Sequence, residues 1–217
     1  MNQTALIRLM SWLSPVFPTG GFAYSGGLEQ AVAHGPVSSP DMLETWLAGQ
    51  LRHGAPWNDA VILAQAWHGE RKGCDLAALA ELAGALAGSA QRHRETLDQG
   101  AAFLKAAAHW FGPGSLPAVL PLPVAVGLAC GRGGVPLEPA LAAYLNTLVS
   151  NQLQCAIRLS VTGQDGAARL LAALEPEVNA VAGEAAASTP DDLGGFAFMA
   201  EIAAMNHETL QPRLFLS

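Results

Sequence analysis

Charge is what this chain has least of. Only 13% of its 217 residues are Asp, Glu, Lys or Arg, and 18 acidic side chains outnumber 11 basic ones, giving a net charge of −7. Sequence-independent nucleic-acid binding draws its affinity from phosphate neutralisation by Lys and Arg, so this balance argues against it. With no basic recognition helix, a DNA-binding regulator fits poorly. Cysteine is also scarce: Cys74, Cys130 and Cys155 are odd in number and lack C-x-x-C spacing, which points away from a disulfide framework and toward a reducing, cytoplasmic setting. Long apolar runs are missing. The longest, 116–130, is broken by Pro117, Pro121 and Pro123 and falls short of the roughly 18–20 residues a membrane span needs. The opening MNQTALIRLMSWLSP is interrupted by Arg8 and followed by no small-residue cleavage site, so it is expected to be an amphipathic helix of a soluble protein and not a signal peptide.

What is present is apolar and helical. Hydrophobic residues make up 51% of the chain, which excludes disorder as its general state. So few charges also suit a protein that buries part of its surface in a complex. Leu43, Trp46, Leu47 and Leu51 form one stripe after Ser39-Pro40-Asp41, an N-cap, first-turn proline and dipole-complementing acid. Leu97, Ala101, Leu104, Ala108 and Phe111 form a second stripe, with Asp98, Lys105 and His109 opposite. A third runs through Leu141, Tyr144, Leu145 and Leu148, on a helix expected to last to about Val161 and stop at Gly163. Thr189-Pro190-Asp191-Asp192 signals another start before an apolar run to Met205. Breaks are expected at Ser14–Gly21, Gly35-Pro36, Gly69–Gly73, Gly112–Gly114, Gly131–Gly134 and Gly163–Gly166. Strand-like alternation is nearly absent. The prediction is an all-α single domain over 1–217, a bundle of about seven to ten helices.

Catalytic signatures do not emerge. The six histidines never pair at i, i+3 or i+4 and none lies near a cysteine in sequence, so no zinc-type motif exists. A site assembled between subunits lies beyond what spacing detects. No G-x-x-x-x-G-K-[ST] is present, and Gly131-Arg132-Gly133-Gly134 follows a helical segment, which makes it an interhelical turn and not a phosphate cradle. Cys130 and Cys155 sit in apolar surroundings, as small core residues do. The expectation is no catalytic residue, no metal ligand and no directly bound cofactor.

Three clusters ask for more. In Pro18-Thr19-Gly20-Gly21-Phe22-Ala23-Tyr24-Ser25-Gly26-Gly27-Leu28-Glu29, the first glycine pair suits a turn with positive φ. The second pair falls where a helix is expected, at about 1 kcal/mol per glycine, and suggests close approach by another helix or a partner. Gln91-Arg92-His93-Arg94-Glu95-Thr96 is a charged block in a chain poor in charge; it is a solvated face or a polar contact point. In His207-Glu208-Thr209-Leu210-Gln211-Pro212-Arg213-Leu214-Phe215-Leu216-Ser217 the apolar tail must dock on its own body or on a partner.

These clusters, in this order, resemble the UreF family of urease accessory proteins. The resemblance rests on SPVFPTGGFAYSGGLEQAV, HRETLDQG, CAIRLSVTGQDG and HETLQPRLFLS, with the first and last the most specific. It implies an all-helical, typically dimeric cytoplasmic protein that assembles with UreD (UreH) and the GTPase UreG. That assembly delivers nickel to apo-urease, with nickel and GTP handled by the partners. Family positions carried over are Pro18, Gly20, Gly21, Tyr24, Glu29, Glu95, Gly100, Arg158, Gly163, Gln164, His207, Glu208, Arg213 and Phe215. Partner contacts are expected from Pro18, Gly20, Gly21, Tyr24, Glu29, Arg94, Glu95, His207, Glu208, Arg213, Leu214 and Phe215, with segments 1–21 and 207–217 partner-dependent. Two departures stand out: Leu216 replaces the family's usual penultimate arginine, and the proline common before Gly163-Gln164 is absent. The alternative from a different class is a small helical enzyme with a polar Glu95/Arg94/His207 site. Arg92 and Arg94 are candidates for a charged residue inserted into a partner GTPase.

Overall fold

The structure, a computed structural model, describes residues 1–72 and 75–217, the side chains of 70–72 excepted. Cys74 and the Gly73 end of the expected break lie outside the described residues. Among the described residues there is no strand. The described residues form ten α-helices: α1 (Gln3–Trp12), α2 (Leu28–His34), α3 (Pro40–His53), α4 (Ala55–Lys72), α5 (Leu76–Ala85), α6 (Ala90–Phe111), α7 (Leu122–Arg132), α8 (Leu137–Arg158), α9 (Gln164–Ala187) and α10 (Phe198–His207). The all-α single domain expected from the periodicity is what forms.

Helix α7 is the axis of the molecule, buried along almost its whole length. It packs most extensively on α4, and α6 covers another side. The α4–α7 approach is close because of Gly127, where a Cβ would sit 2.4 Å from the Leu63 main-chain oxygen and 2.8 Å from Ala66 Cβ. Helices α8 and α9 pair with each other, and α3 lies against α4 and α9. Their inward stripes follow the sequence: Leu43, Leu47 and Leu51 from α3, and Leu141, Tyr144 and Leu145 from α8, are buried. Ser39 caps α3 as expected, its hydroxyl accepting from Met42 N–H at 3.3 Å.

Several boundaries differ from expectation. Helix α8 ends at Arg158, short of Val161, and α9 starts at Gln164 and runs through Gly166, inside the break expected over Gly163–Gly166. Helix α4 continues through Gly69 to Lys72, so no break occurs at Gly69 itself. Thr189–Asp192 makes a capping box but only one 3-10 turn. The chain then stays open through Gly194, at φ 108°, before α10 starts at Phe198. Gly26 and Gly27 are not inside a helix: both are left-handed, at φ 57° and 82°, and α2 begins just after them. The close approach they signalled is real and intramolecular, since a Cβ on Gly27 would meet Ala204 N at 2.6 Å. The loop 18–27 is thereby pressed onto α10, and α10 in turn lies on α2 and α6.

Candidate functional site

Glu29 sits in the first turn of α2, buried, with its carboxylate turned toward the last residues of the chain. Its Oε1 accepts from Leu214 N–H at 2.7 Å and its Oε2 from Phe215 N–H at 3.1 Å. Oε2 also meets His207 Nε2 at 2.9 Å, and the other ring nitrogen lies 2.9 Å from Gln91 Oε1 on α6. His207 is fully buried. A buried carboxylate needs either compensating charge or donated hydrogen bonds, and here one side chain gathers three donors from two segments. The clasp is completed by main chain: Leu216 N–H donates to Ala23 O at 2.8 Å, and Ser25 N–H donates to Ser217 O at 2.7 Å. The Ser25 hydroxyl donates to the same oxygen.

The tail therefore lies on its own body, with Gln211–Pro212 in cis. Its side chains alternate. Phe215 is buried beneath the Arg158 guanidinium, 4.1 Å from the ring centroid, and Arg158 also donates to Phe22 O at 2.9 Å. Leu214 and Leu216, on the other side, are 64% and 55% exposed. Arg213 is exposed as well.

Beneath the clasp lies a polar cavity of about 90 Å³, bordered by Gly21, Tyr24, Gly26 and Ser217 on one side and by Glu201 of α10 on another. Two carboxylates on its wall, Asp59 and Glu95, flank Arg92, whose Nη2 is 2.5 Å from Asp59 and whose Nη1 is 3.2 Å from Glu95. The Tyr144 hydroxyl donates to Asp59 at 2.9 Å. Gln99 and the Ser217 hydroxyl donate to Glu95 at 3.0 and 3.2 Å. Burial pushes the Glu95 carboxyl above the ordinary range; Arg92 opposes the shift and Asp59 adds to it. Burial works against the Arg92 cation, but Asp59 and Glu95 outweigh it and hold the group more firmly charged. Burial also raises the Tyr24 phenol, assisted by Asp98, the acceptor of its hydroxyl at 3.5 Å.

The expected site residues meet different fates. Gly20 makes the left-handed turn, at φ 76°, that leads into the 3-10 turn Gly21–Ala23. Glu29, Glu95, His207, Phe215, Gly21 and Tyr24 come together around the tail and the cavity. Glu208 caps α6 from outside, its Oε1 accepting from Ala90 N–H at 2.9 Å, where the helix dipole favours an anion. Pro18, Arg94, Arg213 and Leu214 face solvent. Gly100 has a packing role, because a Cβ there would collide with the Leu120 main chain. The trio Glu95, Arg94 and His207 does not form one site: Arg94 is exposed, while Glu95 and His207 are buried and spend their polar atoms on the clasp. Arg92 is likewise committed internally, leaving Arg94 as the exposed arginine of that block. Among the described residues, no group of three or more His, Cys, Asp or Glu is placed to hold a metal ion. Burial raises the Cys130 and Cys155 thiols to about 12, the values of inert core cysteines.

Asp59, Gln152 and Glu201 also contribute to this region and were not singled out from sequence, while Tyr144 was expected only on a core stripe and Ser25 only as part of the Pro18–Glu29 cluster. Asp59 carried a usable signal, being a lone acid just before the buried run Ala60–Ala64. No described helix is long and apolar enough to cross a membrane.

Comparison with known proteins gives one consistent family. The model of the UreF family matches residues 37–175. The protein from Brucella ovis described as urease accessory protein UreF is 53% identical over 218 aligned positions, covering 99% of this chain and 95% of its own length. Proteins of the same description from Mesorhizobium japonicum and Sinorhizobium medicae are 51% and 48% identical, each covering 100% of this chain and 98% of the relative.

Proposed function

The chain belongs to the UreF family of urease accessory proteins, and on that premise we propose that it bridges UreD (UreH) and the GTPase UreG. In this role it couples GTP hydrolysis to nickel delivery into apo-urease and catalyses nothing itself. The observation that carries the reading is the tail. Phe215 anchors it internally while Leu214 and Leu216 stand outward, two apolar side chains beside the exposed Arg213. Such residues are held rigidly at small conformational cost, which suits them as anchors for UreD. The N-terminal segment offers a second apolar face, with Ile7 and Met10 on α1 59% and 68% exposed and Val16 88% exposed. It is assigned to assembly contacts, including those of a homodimer.

Nickel and GTP remain with the partners in this scheme, and the chain acts in the cytoplasm. Arg94, exposed on α6 close to Tyr24 and the clasp, is the residue assigned to face UreG. The test uses Leu214→Asp with Leu216→Asp, which spares buried Phe215. UreD retention in a co-purification should be lost while the helical circular dichroism signal persists. Undiminished retention would remove the tail from the interface. GTP hydrolysis by UreG in the assembled complex, compared between the native chain and Arg94→Ala, reports whether this arginine accelerates the GTPase or restrains it.

A further inference from the structure

A second surface, independent of the tail, lies between α3 and α10. It is an apolar groove of about 670 Å³ that shares only Gln50 and Ala200 with the polar cavity beneath the clasp. One wall is a strip of α3 at helical spacing, where Met42, Thr45 and His53 are exposed, Gly49 is half-buried, and Trp46, expected on the inward stripe, is half-buried against the core at the edge of the groove. The other is the start of α10 and the residues before it, where Phe196, Phe198 and Met199 are 55%, 65% and 54% exposed. Isolated exposed apolar residues are ordinary, but a contiguous set lining a groove marks an interaction site.

Gly49 is the informative residue. A glycine in the interior of a helix costs about 1 kcal/mol relative to alanine. At Gly27, Gly100 and Gly127 the missing Cβ makes room for another part of this chain. At Gly49 a Cβ would meet nothing within 4 Å. Nothing inside the molecule requires the glycine, and its bare backbone faces the groove, where another helix could approach at close range.

Charge narrows the occupant further. Across Thr45 and Gly49 the groove continues into a depression toward α9 bordered by Asp41, Glu44 and Glu177. The cations there are already engaged: Arg52 pairs with Glu177 and Glu184, and Arg169 lies 3.9 Å from Asp41. Four carboxylates against two guanidiniums leave this flank acidic. We propose that the α3–α10 groove is a docking site for an amphipathic helix of a partner protein. Its apolar face would lie between Trp46 and Phe198 and its Lys- or Arg-bearing flank over Asp41 and Glu44.

The test titrates the full chain with three labelled synthetic helices, read by fluorescence anisotropy. One is leucine–lysine with an apolar face, one is its leucine–glutamate counterpart, and one is the leucine–lysine composition scrambled to abolish the face. The first should bind at least about tenfold tighter than the other two. Gly49→Leu places a better helix former at a half-buried position where a Cβ meets nothing within 4 Å, so it should melt no lower than the native chain while weakening the first peptide by about tenfold or more. Should that variant not fold, Phe198→Asp on the opposite wall carries the same test. Equal binding of the glutamate peptide, no binding of the lysine peptide, or affinity unmoved by both variants overturns the proposal. So does sedimentation in which Gly49→Leu converts a dimer to a monomer, since a second copy would then be the occupant. Because UreD retention is read separately through Leu214 and Leu216, failure here leaves the bridging role standing, and the converse also holds.

Discussion

The α4–α7 pair and the tail clasp are both buried, yet they are built on opposite principles. The helix pair is held by volume: apolar side chains and a glycine at closest approach, with α7 almost free of polar side chains. The clasp is held by valence. Glu29 satisfies His207, Leu214 and Phe215 together, and Arg92 balances Asp59 and Glu95. Apolar burial is non-directional and tolerates small shifts as long as space is filled. A buried carboxylate is unforgiving about partners but can exchange them for others of the same kind. The first arrangement suits a scaffold. The second suits the partner-contact role proposed for the tail.

Three substitutions probe this contrast, from the largest expected effect to the smallest. Gly127→Val forces a Cβ into the Leu63 main chain and should destabilise by upward of about 3 kcal/mol. Urea unfolding should register it as a lower midpoint or as failure to fold. Glu29→Gln keeps the shape but cannot serve all three donors, and the expected loss is about 2–3 kcal/mol. Unlike the first, it should be local: amide exchange at Leu214 and Phe215 should accelerate far more than exchange in α7. Equal acceleration in both places would erase the distinction drawn between the two regions.

The smallest effect concerns Glu201, on the cavity wall. Burial raises its carboxyl above the ordinary value of 4.5, opposed by Arg92. The folded state thus holds this proton more tightly than the unfolded chain does. Its contribution to stability is full below 4.5 and is lost as pH rises through the higher folded value. Glu201→Gln should melt with the native chain at pH 4 and about 1–2 °C above it at pH 8. A gain at acid pH, or none at pH 8, would show that the carboxyl is not under strain from burial.

Much of the scaffold could be read in the sequence because its cues are local. Ser39-Pro40-Asp41 starts α3, and the stripes of α3 and α8 repeat within a few residues. The stripe expected on α6 lies to one side of its buried face, which runs through Thr96, Gln99, Gly100, Phe103, Leu104 and Ala107 and shares only Leu104 with it. The clasp was legible only in part. Glu29 and His207 could be named through family resemblance, but nothing local states that they meet across 178 positions. Arg92 and Arg94 look alike in the charged block, and only the tertiary position of Asp59 sends one inward. Gly26-Gly27 announced a close approach correctly, while the left-handed turn that makes it depends on where α10 lies. Half-buried Gly49 carried no signal at all, because its significance is an absence of neighbours beside its Cα.

The joining of residues 23–29 to residues 214–217 has a consequence in time. Closing so long a loop is entropically unfavourable until the intervening helices have condensed, so the clasp forms late in folding. During synthesis Glu29 emerges early and must wait for donors that are made nearly two hundred residues later. Until then its carboxylate stays hydrated and the outward tail leucines do not exist as a surface. The proposed partner of Leu214 and Leu216 would therefore meet them in their clasped arrangement only after the helices have condensed, and half-folded copies would offer it nothing to hold.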